Sequence, residues 1–90
     1  MAWTIEFDKK AEKEFKKLDK ATQKKIDRLI IRLSKSKNPR NAGKSLKGKL
    51  GSFWRYRVGD YRLICSLEDK ILTIVVLRVS HRRYVYNKEI

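Results

Sequence analysis

Residues 53–66 read FWRYRVGDYRLICS, and this stretch limits the possible folds more tightly than any other. Two runs rich in aromatic and β-branched residues flank Gly59-Asp60, and glycine at the first loop position is what a type II′ hairpin turn requires. That turn sets Val58 opposite Tyr61, Arg57 opposite Arg62, Tyr56 opposite Leu63, Arg55 opposite Ile64 and Trp54 opposite Cys65. Side chains alternate across a strand, so the hairpin sorts into two faces. Trp54, Tyr56, Val58, Tyr61, Leu63 and Cys65 form one, which must be core. Arg55, Arg57 and Arg62 share the other. Like charges directly opposite on a ladder are destabilising, so Arg57 against Arg62 carries a local penalty that a bound anion would relieve.

Charge balance agrees with an anionic partner. The 90 residues hold 24 Lys and Arg against 10 Asp and Glu, a net charge of +14 with pI near 10.2. An excess of that size in a single domain (residues 1–90) points to polyanions, nucleic acid first and anionic membrane second. The membrane is the weaker reading. The longest apolar run, Ile71 to Leu77, is strand-sized, and the N-terminus lacks the apolar stretch of a signal peptide. A cytoplasmic protein without membrane association is expected. One cysteine forms no internal disulfide, and Cys65 falls on the apolar face as a small core residue. One histidine and one cysteine are too few soft ligands for a zinc site, so no metal and no cofactor is expected.

In chain order, Trp3 to Phe7 alternates as a first strand. Asp8 suits an N-cap, and Ala11, Phe15 and Leu18 give a short amphipathic helix to about Leu18. Asp19 to Thr22 reads as a break and a fresh cap; Ile26, Leu29, Ile30 and Leu33 then mark a longer helix that ends before Asn38-Pro39. Arg40 to Gly51, with three glycines, reads as a loop anchored by Leu46 and Leu50. After the hairpin and a turn at 67–70, Ile71 to Val79 is almost continuously apolar, as in a central strand covered on both faces. The order β-α-α-β-β-β predicts an α+β domain, with a helical hairpin on one face of a small, twisted, mainly antiparallel sheet and the arginines on the other.

Three arginines on a hairpin are in most proteins a solvated face. Here the opposite face is cleanly apolar and the three converge, which favours a phosphate site: the planar guanidinium matches phosphate oxygens and stabilises charge developing on them. His81, Arg82, Arg83 and Tyr86 follow the last strand and should lie at the sheet edge near that face. Individually these are ordinary surface or packing residues. Together with the arginines they supply what RNA cleavage needs: a base for the ribose 2′-hydroxyl, an acid for the leaving 5′-oxygen, and cations on the phosphate. Surrounding arginines would lower the Tyr86 pKa, and His81 is the other candidate for proton transfer. Lys44, Lys47 and Lys49 in the loop suit contacts to phosphate backbone, and the helix lysines, including Lys9, Lys13, Lys16 and Lys17, suit a non-specific RNA-facing surface.

Leu46-Lys47-Gly48, the hairpin WRYRVGDYRLI at 54–64, and His81-Arg82-Arg83 with Val85-Tyr86 together resemble the RelE branch of the RelE/ParE toxin superfamily, over nearly the whole chain. The resemblance implies the toxin of a type II toxin–antitoxin pair: an endoribonuclease, or mRNA interferase, that enters the ribosomal A site and cuts mRNA there without a metal, so inhibiting translation. It implies that Arg62 holds the scissile phosphate, that Arg55 and Arg57 aid phosphate binding and proton transfer, that Arg82 belongs to the site, and that Tyr86 stacks on the substrate base and is a candidate general base. The role of His81 varies between branches. The implied partners are the ribosome, mRNA and a RelB-like acidic antitoxin, in a hetero-oligomer. Ser80 stands where many relatives have Gly, and Tyr84 where many have an acidic residue. Two other functions fit parts of the pattern: a ParE-like inhibitor of DNA gyrase, and a non-catalytic RNA-binding module.

Overall fold

The computed structural model describes residues 2–46 and 53–81. The elements are β1 (Thr4–Phe7), α1 (Lys9–Lys16), α2 (Lys20–Lys35), a 3₁₀ turn (Pro39–Ala42), β2 (Lys44–Ser45), β3 (Phe53–Val58), β4 (Tyr61–Glu68), a second 3₁₀ turn (Asp69–Ile71) and β5 (Thr73–His81). They build one five-stranded sheet in the order β1-β5-β4-β3-β2, antiparallel except where β1 runs parallel to β5. The α+β architecture is the one the pattern predicts, with a short extra strand. No helix among the described residues is long and apolar enough to cross a membrane.

Local chemistry sets the helix boundaries. The Asp8 carboxylate accepts from the Lys10 N–H at 2.9 Å and starts α1; the Asp19 carboxylate accepts from both the N–H and the hydroxyl of Thr22 and starts α2. Those bonds to Thr22 also hold the Asp19 carboxyl below the usual range. Helix α1 stops at Lys16, two residues before the predicted end, because Lys17 and Leu18 donate back three residues, to Glu14 and Phe15, in a tighter turn. The Gln23 side-chain amide donates to the carbonyls of Phe15 and Leu18, so α2 caps the end of α1 and fixes the helix pair.

Ala11, Ile26, Leu29 and Leu33 of the helices pack on Tyr56, Val58, Leu63, Cys65, Ile74, Val76 and Val79, so the helices cover one sheet face. Burial raises the Cys65 thiol pKa to about 12. Native protein is therefore expected to resist a thiol reagent at pH 8, and labelling should rise only as denaturant exposes the core. Rapid labelling of the folded protein would contradict this placement.

The hairpin register is the predicted one, from Val58 opposite Tyr61 to Trp54 opposite Cys65. Gly59 has φ +57°, and Asp60 is not among the positive-φ residues, the sign pattern of a type II′ turn. The last strand is interior to the sheet, as expected, and departs from expectation in its start and register. It lies between β1 and β4, beside the middle strand, and starts at Thr73 rather than Ile71 because Leu72, at φ +48°, turns the chain out of the 3₁₀ turn. It also carries a β-bulge: Ile64 pairs with Arg78 and Cys65 with Val76, leaving Leu77 as the extra residue. Past that point Glu14 of α1 takes over the edge. Its carboxylate accepts from the Val79 N–H at 2.8 Å and from the Arg78 guanidinium at 3.1–3.3 Å.

Candidate functional site

The segment expected to be loop from Arg40 onward holds the site together. The buried Tyr56 hydroxyl donates to the Pro39 carbonyl at 2.9 Å, and the Trp54 indole N–H donates to the Arg40 carbonyl at 3.0 Å. The Arg40 guanidinium stands over the Trp54 ring and makes a bidentate pair with Asp69, both bonds 2.8 Å. That pairing holds the Asp69 carboxyl below the usual carboxylate range. Asp69 binds its proton more weakly folded than unfolded, so the clip's contribution is present above the ordinary carboxylate pKa and lost only as pH falls through the lowered value. Both tyrosine and tryptophan thus spend their polar tips on fixing the turn. Burial also pushes the Tyr56 pKa further up, so it is no candidate for a general base.

Fixed in this way, the chain re-enters the sheet as β2, two residues too short to carry a strand signature in sequence. Lys44 pairs with Arg55 and Ser45 with Trp54. Directly opposed residues share a face, so Lys44 joins the arginines. Arg55 and Arg57 lie two residues apart on β3, about 6.5 Å, and Arg57 is opposite Arg62 on β4. The result is a cavity of about 240 Å³ lined by Asn41, Ala42, Gly43, Lys44, Arg55, Arg57 and Arg62. Four cations meet there, and no carboxylate is among the described lining residues.

The cations differ in exposure. Lys44 and Arg57 are exposed and Arg55 is half-buried, but Arg62 retains only 4% of its surface and forms the floor. Arg62 is therefore not a solvated surface residue, unlike Lys44 and Arg57. None of Lys44, Arg55 and Arg57 forms an ion pair among the described residues, whereas Arg40 and Arg78 are each held by a carboxylate.

Other sequence candidates lie elsewhere. His81 is opposite Tyr61 on the ladder and meets its ring edge-to-face, with centroids 5.4 Å apart. Tyr61 alternates with Leu63 and Cys65, so His81 lies on the helix side and not with the arginines. The bulge at Leu77 is the reason: one extra residue inverts the facing of everything after it. The same inversion sets Ser80 opposite Arg62, on the cationic face, where sequence reading had noted it only as a departure from relatives. Lys9, Lys13, Lys16 and Lys17 belong to the helix layer on the far side of the sheet, and Lys16 pairs with Glu12 at 3.5 Å. Lys47, Lys49, Arg82, Arg83 and Tyr86 lie outside the described residues. Asn41 escaped sequence reading; it has no signal of its own and reaches the cavity only because Trp54 and Tyr56 position the turn.

The model of the ParE toxin family of type II toxin–antitoxin systems matches residues 5–86. Toxin RelG of Mycobacterium tuberculosis is 38% identical over 53 residues, which is 59% of this chain and 61% of RelG, so the chain spans about three-fifths of that relative. Among solved structures, a chain of the toxin–antitoxin complex RelBE2 from Mycobacterium tuberculosis superposes with a TM-score of 0.81 at 30% identity, covering 91% of this chain and 100% of that one. A chain of the archaeal RelE–RelB complex from Pyrococcus horikoshii OT3 gives 0.75 at 28% identity, covering 91% and 97%. By family model, sequence and fold together, the chain belongs to the RelE/ParE superfamily of toxins from type II toxin–antitoxin systems, on its RelE-like branch.

Proposed function

We propose that this toxin is a metal-independent endoribonuclease that cuts mRNA in the ribosomal A site. The observation that carries the reading is the four-cation cavity with the buried Arg62 as its floor. Cleavage of this kind forms a bond from the ribose 2′-oxygen to the neighbouring phosphorus and breaks the bond to the 5′-oxygen. A base takes the 2′-hydroxyl proton, an acid returns one to the leaving oxygen, and the products are a 2′,3′-cyclic phosphate and a 5′-hydroxyl. Negative charge builds on the phosphoryl oxygens between these events, and a preorganised guanidinium stabilises it without reorganising. In this reading Arg62 supplies that guanidinium, and Arg55, Arg57 and Lys44 bind and orient the strand.

No histidine, tyrosine or carboxylate is among the cavity's described lining residues. Proton transfer is accordingly assigned to Tyr86, with Arg82 assisting, and not to His81 on the helix side. An acidic antitoxin is the partner that fits a chain of charge +14, by covering the cationic cavity.

The test is mRNA cleavage in a purified translation system, with and without ribosomes. Cuts at A-site codons that need the ribosome are expected, ending in a 2′,3′-cyclic phosphate or its opened product. Intact mRNA from a folded preparation would overturn the reading; the gyrase-inhibitor alternative would then be tested by DNA supercoiling.

A further inference from the structure

A second cationic cavity, of about 170 Å³, adjoins the first where α2 passes the end of β3. Lys25, Arg28, Leu29, Arg32, Arg57 and Val58 line it. Leu29 and Val58 are buried and form an apolar floor, while Lys25, Arg28 and Arg32 are exposed and stand at i, i+3 and i+7, one stripe of the helix. Arg57 lines both cavities, so the two share that side chain as a common wall.

A charged helix face is ordinarily just solvated. Two observations separate this one from that default. On α1 the lysines alternate with acids, and Lys16 is paired with Glu12 four residues before it. Helix α2 has a single carboxylate, Asp27, and it faces a different cavity, with Phe7 and Phe15. The second observation is pairing: none of Lys25, Arg28, Arg32 and Arg57 enters an ion pair among the described residues, so like charges stand at helical neighbour spacing with nothing to offset them.

We infer that this groove on α2 is a second phosphate subsite, which holds the backbone of the same RNA strand beside the cleavage cavity, with Arg57 as the shared contact. The inference rests on RNA being the substrate. A continuous single strand is favoured over a separate acidic partner because the two cavities meet at one side chain. The subsite positions RNA and takes no part in bond breaking.

The test is binding of a single-stranded RNA that carries 2′-deoxyribose at the cleavage position, measured against salt concentration for intact protein. Each phosphate contact contributes about 0.7 to the slope of log affinity against log salt. R28Q/R32Q is expected to lower the slope by about 1–1.5 and to weaken binding at least tenfold at low salt. R28K/R32K should keep the slope, and K13Q/K17Q, with the same charge change on α1 and its C-cap, should alter it less. Equal slopes for R28Q/R32Q and K13Q/K17Q, with both variants folded by circular dichroism, would overturn the subsite. Mature cleavage with equal slopes removes only the subsite; absent cleavage with unequal slopes removes only the proposed activity.

Discussion

Replacing Arg62 by alanine is expected to lower the rate of mRNA cleavage by about 100- to 1,000-fold, the loss seen when one preorganised donor to a developing oxyanion is removed. That corresponds to about 3–4 kcal/mol of transition-state stabilisation. Arg62 is chosen over its neighbours by burial: it is 4% exposed and lines the cavity, so a group must enter the cavity to reach it. Its loss should therefore appear mainly in kcat. Arg57 is exposed at the rim, so Arg57→Ala should appear mainly in KM. Arg62→Lys keeps the charge and loses the planar fork, and an intermediate rate is expected. Single-turnover cleavage with excess ribosomes measures the first effect directly. An Arg62→Ala variant that retains its fold and cuts within a few-fold of the unaltered protein would show that Arg62 is not the charge-stabilising group.

The same residues concentrate like charge on one face of the sheet. Lys44 opposes Arg55 and Arg57 opposes Arg62, two like-charge pairs on neighbouring ladders of one small sheet. Each such pair opposes strand association. The other face offsets this with a continuous apolar layer from Tyr56 to Val79, and the turn is held by Trp54, Tyr56 and the Arg40–Asp69 clip.

How much of this could be read from residues alone depended on the range of the interactions. The hairpin was legible pair by pair, because Gly59-Asp60 fixes the turn and the period of two fixes the faces. The caps at Asp8 and Asp19 were legible for the same local reason. His81 was misplaced by a single event, the bulge at Leu77, which no local signal announces: ILTIVVLRV is apolar on both parities, so alternation cannot reveal a slipped residue. Strand β2 was missed because two residues carry no period. Arg28 and Arg32 were passed over because a helix stripe acquires meaning only when another element, here Arg57 at the end of β3, closes a cavity on it.

Gly43→Ala is expected to do more damage than its size suggests. A Cβ at this position would fall 2.5 Å from the Arg55 carbonyl oxygen and 2.8 Å from Cδ1 of both Trp54 and Tyr56. The oxygen belongs to the β3 backbone, and the two rings are held by their bonds to the Pro39 and Arg40 carbonyls, so none can yield cheaply. Overpacking of this kind destabilises by about 1–3 kcal/mol, and each kcal/mol is about 4–8 °C in Tm for a domain of this size. The second consequence is functional. Relief of the clash must lift β2 from β3, which breaks the Lys44–Arg55 and Ser45–Trp54 pairing and carries Lys44 and Asn41 away from the cavity. Lys44→Ala removes the cation and leaves the strand in place. If close approach of β2 shapes the cavity, Gly43→Ala should lower both Tm and cleavage more than Lys44→Ala does, with the circular dichroism of the helices retained. Gly59→Ala is the control, since that position has no atom within 4 Å and only its φ of +57° resists a side chain. It should lower Tm modestly and leave cleavage nearly unchanged. A Gly43→Ala protein with unaltered Tm and rate would mean that β2 does not close on β3, and the four-cation cavity would lose its lysine.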